Sequence, residues 1–215
     1  MVVSRGLATC EGCTLVSMGG RPNNPFFDSE PGGREAAPGP LALVQAFVNT
    51  REAERGWEAL ADPEALSRWL RERGLLSRGS RVEEEDVGRA RELREALRAL
   101  LAANNGGEVE EGVVAALNGA SERARLGVRF GRDGRTVLAP AARGVDGALG
   151  RVVAAVHAGM EGGTWARLKA CRNPACSWAF YDRSKNRSGR WCSMGICGNR
   201  TKTRSYRRRR QLAGD

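Results

Sequence analysis

Histidine is almost absent: His157 stands alone in 215 residues, which removes the commonest participant in general acid–base chemistry. The sequence also lacks a His-x-x-His pair, a phosphate-cradling Gly-x-x-x-x-Gly-Lys loop, a nucleophile elbow and a cysteine–histidine pairing. A non-enzyme is therefore expected. No apolar run reaches the roughly 18 residues that a membrane-spanning helix needs. The start of the chain has Cys10, Glu11 and Cys13 where a secretory signal would carry a charged start and an apolar stretch. A cytoplasmic, reducing address follows, and there six cysteines favour metal binding over disulfides.

Acidic residues are scarce at one end only. Residues 165–215 hold 14 Lys and Arg against 2 Asp and Glu, a net of +12, while residues 1–164 hold 21 against 23, a net of −2. All of the excess basicity of this +10 chain belongs to its last quarter. Arginine supplies most of it, and guanidinium grips phosphate through two parallel hydrogen bonds and releases counterions, so the favoured partner is a polyanion such as DNA or RNA. A membrane surface is the weaker rival.

That same quarter carries Cys171-x4-Cys176 and Cys192-x4-Cys197, two equally spaced pairs with 15 residues between them. Four thiolates from two short-range pairs complete the tetrahedral shell of one structural zinc and leave no open position for activating water. Some 45 residues bury too little apolar surface to fold alone, so the metal is expected to hold the module together. Between the pairs, Ser177–Asp182 reads as a strand and Arg183–Arg190 as an exposed basic loop. From Cys197 the sequence is compatible with a helix through Gln211. At about 100° per residue Arg200, Arg204, Arg207, Arg208 and Gln211 share one face, with Lys202, Arg209 and Arg210 beside it. Trp165, Trp178, Phe180, Tyr181, Trp191 and Tyr206 are read as the module's core in preference to base-stacking groups. His157 is read as an ordinary helix residue, since the four cysteines already complete the shell.

Proline and glycine crowd residues 1–40, which predicts a disordered leader. Cys10-x2-Cys13 within it supplies only half of a zinc shell. Order is expected from Leu41. One helix runs to about Trp57, and a second follows the Asp62-Pro63 cap. A third, capped at Ser80 with Glu83, extends to Asn104. A fourth, from about Val109 to Ser121, turns Val113, Val114 and Leu117 inward. Alternation at Leu126, Val128 and Phe130 around Asp133-Gly134 marks a β-hairpin returning through Thr136–Ala139. A last helix is capped by Asp146, and Glu161-Gly162-Gly163 reads as a hinge to the module.

Asn186-Arg187-Ser188, Arg190-Trp191-Cys192-Ser193-Met194 and Cys197-Gly198-Asn199-Arg200 closely resemble the CGNR zinc finger. Upstream, Leu41–Thr50 (LALVQAFVNT) and Asp62-Pro63 resemble the ABATE domain that precedes this finger, although Ala46 stands where the usual pattern has an acidic residue. The resemblance implies a bacterial, stress-responsive transcription regulator with Cys171, Cys176, Cys192 and Cys197 as zinc ligands. It also implies a nucleic-acid face at Arg187, Arg190, Asn199 and Arg200, and a sensory or oligomerising upstream domain that could bind an effector. Asn49 is read as a capping or core-bonding residue in preference to one lining a pocket.

The expected fold is α+β: a mainly helical domain with one β-hairpin over 41–163, then a small zinc-stabilised β/α finger over 164–211, with 212–215 as a tail. The expected function is zinc-dependent DNA binding through Arg183, Lys185, Arg187, Arg190, Asn199, Arg200, Lys202, Arg204, Arg207 and Arg208, with a homodimer as the assembly considered. RNA or ribosome association is the first alternative, and a clip for an acidic protein partner is another.

Overall fold

The computed structural model describes residues 35–212. Most of the expected leader, including Cys10 and Cys13, and residues 213–215 lie outside the described residues. Ahead of the first helix, Ala37 is already buried, and its N–H donates to Gln45 Oε1 at 2.6 Å.

Helix α1 (Leu41–Val48) buries Leu41, Val44, Phe47 and Val48 and occupies the centre of the body, as a helix that is apolar nearly all round must. It does not continue to Trp57. Thr50 donates its hydroxyl to the Phe47 carbonyl at 2.7 Å and closes the last turn, and the chain then makes a miniature hairpin, β1 (Arg51–Glu52) and β2 (Trp57–Glu58). Beneath it Arg94, 2% exposed, forks onto both carboxylate oxygens of Glu58. Helix α2 (Pro63–Glu72) starts at the expected cap, where Asp62 Oδ1 accepts the Ala65 N–H at 2.8 Å. Its Trp69 ring lies 5.4 Å from that of Phe47.

Helix α3 (Glu84–Ala103) begins after Glu83 and not at Ser80. The Asp86 carboxylate accepts the Glu83 N–H at 2.9 Å, whereas the Ser80 hydroxyl is engaged with that of Ser77. Helix α4 (Glu111–Arg123) packs more loosely than its sequence implies. Leu117 reaches the core, Val113 is half-buried and Val114 faces solvent. Strands β3 (Leu126–Phe130) and β4 (Thr136–Pro140) pair antiparallel with Val128 opposite Leu138. Helix α5 (Gly144–Glu161) follows, capped at Arg143. Asp146, expected as that cap, sits inside the first turn, 3.5 Å from Arg89 Nε.

Beyond α5 come β5 (Leu168–Ala170) and β6 (Ala179–Tyr181), an antiparallel pair, and α6 (Asn199–Leu212). The fold is thus α+β, a helical body with a hairpin and a small β/α module. The glycines after α5 do not act as the expected hinge. Leu168, Ala170, Ala179 and Tyr181 belong to the same buried cluster as Leu41, Phe47, Leu97 and Val152. Asn49 reinforces this by exchanging two hydrogen bonds with the Ala179 backbone, donating to its carbonyl at 2.9 Å and accepting its N–H at 2.8 Å, much as a neighbouring strand would. Its buried amide is a core-bonding residue. Asn49→Ala leaves the Ala179 N–H buried without a partner and its carbonyl with only the longer bond from Gln45 Nε2 at 3.4 Å, so a loss of about 1–3 kcal/mol is expected in denaturant unfolding of the zinc-loaded protein.

Candidate metal centre and basic surface

Each of the four cysteines is fixed by local backbone. Cys171 directly follows β5, and its N–H donates to the Trp178 carbonyl at 2.9 Å. Cys176 lies on the turn between the strands, its N–H bonded to the Asn173 carbonyl at 2.8 Å. Cys192 comes after the basic loop. Cys197 sits in a π-helical turn (Met194–Gly198) whose start is capped by Ser193 Oγ, which accepts the Ile196 N–H at 3.3 Å.

The four sulfurs all lie within 4.8 Å of one another, with Cys176 to Cys192 and Cys192 to Cys197 each at 3.6 Å. A tetrahedron with metal–sulfur bonds of about 2.3 Å has edges of ~3.8 Å, so the cage is of zinc size. Hydrogen bonds from the Cys176 and Cys192 thiols hold the Cys171 thiol down to about 2. Those same bonds push Cys176 up to about 12 and Cys192 upward as well. Sulfurs this close cannot all ionise unless a cation sits among them, and zinc binding must therefore expel protons. Asn173 Nδ2 points at Cys197 Sγ from 3.6 Å and supplies an outer contact to the shell. Trp178 and Phe180 pack against the cysteines in a second, smaller buried cluster. The module holds one structural zinc in a closed four-cysteine shell. His157 is exposed on α5 and outside the cysteine cluster.

The basic residues fall on the solvent side of this centre. Arg183, Lys185, Arg187 and Arg190 are exposed on the loop between β6 and Cys192, and Asn199, Arg200, Lys202, Arg204 and Arg207 are exposed on α6. The backbone of Arg208 belongs to the same helix. Two of these cations are engaged by acids from elsewhere in the chain: Arg200 pairs with Glu54 of the β1–β2 turn, and Arg183 with Glu35 at 3.2 Å. Both are exposed pairs of the kind that contributes little to stability and yields readily to a competing anion. Of the module's aromatics, Trp165, Trp178, Phe180 and Tyr181 are buried, Trp191 is half-buried and Tyr206 is exposed.

Several residues that shape the site carry no local signal in the sequence. Lys169 on β5 is buried and donates from Nζ to Asp182 Oδ2 at 2.8 Å, and also to the carbonyls of Arg187 and Gly189. Asp182 in turn accepts the backbone N–H groups of Ser184 and Gly189 at 3.0 and 2.7 Å. Burial alone would raise the Asp182 carboxyl, but these donors, led by Lys169, hold it down to about 2. A buried ion pair is thus the hub on which the basic loop is folded. Gly189 is part of it, since a methyl group there would meet the Asp182 carboxyl at 2.8 Å. On the other side, Asn105 at the end of α3 donates to the carbonyls of Ala170 and Arg190, and Asn104 to those of Trp165 and Leu168. The Asn104-Asn105 pair that follows α3 is a docking corner for the finger.

These features define a class: a helical body fused through shared core to a zinc-pinned, arginine-rich finger. Residues 41–163 match the ABATE model, described as "Putative stress-induced transcription regulator", and residues 167–210 match the CGNR zinc finger. With more than half of its length in the first match, the chain belongs to the ABATE family and carries the CGNR finger behind that domain. Among curated proteins, none matches the chain.

Proposed function

We propose that the protein is a cytoplasmic, non-enzymatic regulator that binds nucleic acid through its finger, DNA in preference to RNA. The observation that carries this reading is the uncompensated basic surface. Among the described residues, Lys185, Arg187, Arg190, Lys202, Arg204 and Arg207 pair with no carboxylate, and they flank one metal-fixed module. Zinc pins the start of α6, so the helix presents its arginines as a stiff rod. The loop held by Lys169 and Asp182 grips phosphate beside it, and Asn199 and Arg200 at the N-terminal end of α6 are placed to meet base edges. Phosphate entering this surface displaces Glu54 from Arg200 and Glu35 from Arg183. A second copy would double the footprint, and the exposed Val128 and Phe130, on one face of the hairpin, offer an apolar surface for pairing.

A footprint of about six phosphates makes affinity fall about a thousandfold between 50 and 200 mM salt. Fluorescence anisotropy with labelled duplex across that range tests it, and a complex indifferent to salt would sink the reading. The exposed Tyr206, with the Arg210 guanidinium 5.9 Å from its ring, favours RNA as the second reading because it offers a stacking face. Competition between duplex DNA and structured RNA separates the two.

A further inference from the structure

Between the basic loop and the zinc turn runs an open groove of about 660 Å³, a size typical of small-molecule sites and ample for one nucleotide. One wall is apolar. Trp191 and Met194 converge over Gly198, where an added methyl would meet the Met194 sulfur at 2.8 Å and the Trp191 ring at 3.2 Å, so the glycine is what lets both side chains settle at the start of α6. The lining also includes the hydroxyl side chains of Ser184 and Ser188 from the loop. Arg183 and Arg190 stand among the lining residues, Arg183 5.4 Å from the Tyr181 ring and paired at 3.2 Å with Glu35, an exposed acid that also lines the groove and that an incoming phosphate must displace. Asp182 also lines the groove. Its carboxylate is covered by Lys169, Ser184 and Gly189, so it presents little negative charge to an incoming anion.

A phosphate track along a duplex needs only a charged surface. A concavity lined by an adjoining indole and thioether, by hydroxyls and by guanidinium groups matches something more particular: a base together with the phosphate attached to it. We propose that this groove takes one unpaired nucleotide of the bound strand, its base against Trp191 and Met194 and its phosphate on Arg183 and Arg190. The inference rests on the nucleic-acid reading above and narrows it, because it requires the target to offer a base outside its helix. Stacking tolerates any base, so the slot recognises the unpaired state and leaves sequence to other contacts.

The test uses the full-length, zinc-loaded protein and two labelled DNA duplexes that differ only by one unpaired thymidine in the middle of one strand. The bulged duplex is expected to bind about tenfold more tightly, the contribution of a single stacked base. Met194→Ala and Trp191→Leu are expected to reduce that preference to about twofold or less while leaving affinity for the perfect duplex and zinc content unchanged, and Trp191→Phe to retain it. Should Trp191→Leu lose zinc, the exposed Met194→Ala and the conservative Trp191→Phe still decide the matter. Equal affinity of the wild type for both duplexes overturns the slot and leaves the nucleic-acid reading standing. A preference that survives Met194→Ala and Trp191→Leu unchanged also overturns it. Binding to neither duplex overturns both.

Discussion

Chelation of the zinc is expected to lower the stability of the entire protein and not of the finger alone. A structural four-cysteine zinc contributes on the order of 10 kcal/mol to a module of this size. The finger here is not a tethered bead. Its strands β5 and β6 lay Leu168, Ala170, Ala179 and Tyr181 into the same core as α1, α3 and α5. Their backbone carbonyls and N–H groups are the partners of Asn49, Asn104 and Asn105. When the cage opens, β6 loses the anchor at Cys176 and Cys192, and the body is left with an uncovered apolar surface and stranded amides. The same outcome is expected for Cys192→Ser, which removes a ligand from a site only 2% exposed. Metal analysis should show loss of bound zinc. Thermal unfolding followed by far-ultraviolet circular dichroism should show the helical body melting at a markedly lower temperature. A body transition unmoved by chelation would mean that the shared core contributes little and that the finger folds independently.

The contrast between what the sequence discloses and what it conceals has a physical origin. The cysteine spacing, the Asp62-Pro63 cap and the Asp133-Gly134 turn are local devices whose chemistry is complete within a few residues, and each reappears in place. The charge asymmetry is a property of composition and survives folding unchanged. The finger's attachment is different. It depends on side-chain amides that bond backbone about 130 residues away in the case of Asn49 and about 65 in that of Asn105. An isolated Asn after an apolar helix looks like a cap, and a glycine run before a new module looks like a hinge. Only the three-dimensional register of Ala179 against Asn49 shows otherwise. The same reasoning explains why the basic loop was legible as exposed and charged while its support was not. Lys169 lies in a stretch already rich in cations, and nothing nearby marks it as the one that turns inward.

Lys169→Met is expected to be the most damaging single change outside the zinc shell. It leaves the Asp182 carboxylate, 1% exposed, without its cation in the interior, and breaking one side of such a pair costs about 3–5 kcal/mol. With Lys169 gone, burial pushes the Asp182 carboxyl upward and only the donors from Ser184 and Gly189 still oppose it. The double variant Lys169→Met with Asp182→Leu removes both charges and replaces them with apolar volume, a swap that is close to neutral or favourable for stability in buried pairs. Unfolding midpoints of the zinc-loaded proteins should therefore fall sharply for the single variant and recover for the double. Nucleic-acid affinity should recover in neither. The ammonium of Lys169 also holds the Arg187 and Gly189 carbonyls, and Asp182 holds the Ser184 and Gly189 N–H groups, so without the pair the loop bearing Arg183, Lys185, Arg187 and Arg190 has no fixed form. Stability and binding are then separated by one pair of residues. If the double variant regained binding together with stability, the ion pair would be a packing feature and the loop's shape would have another source.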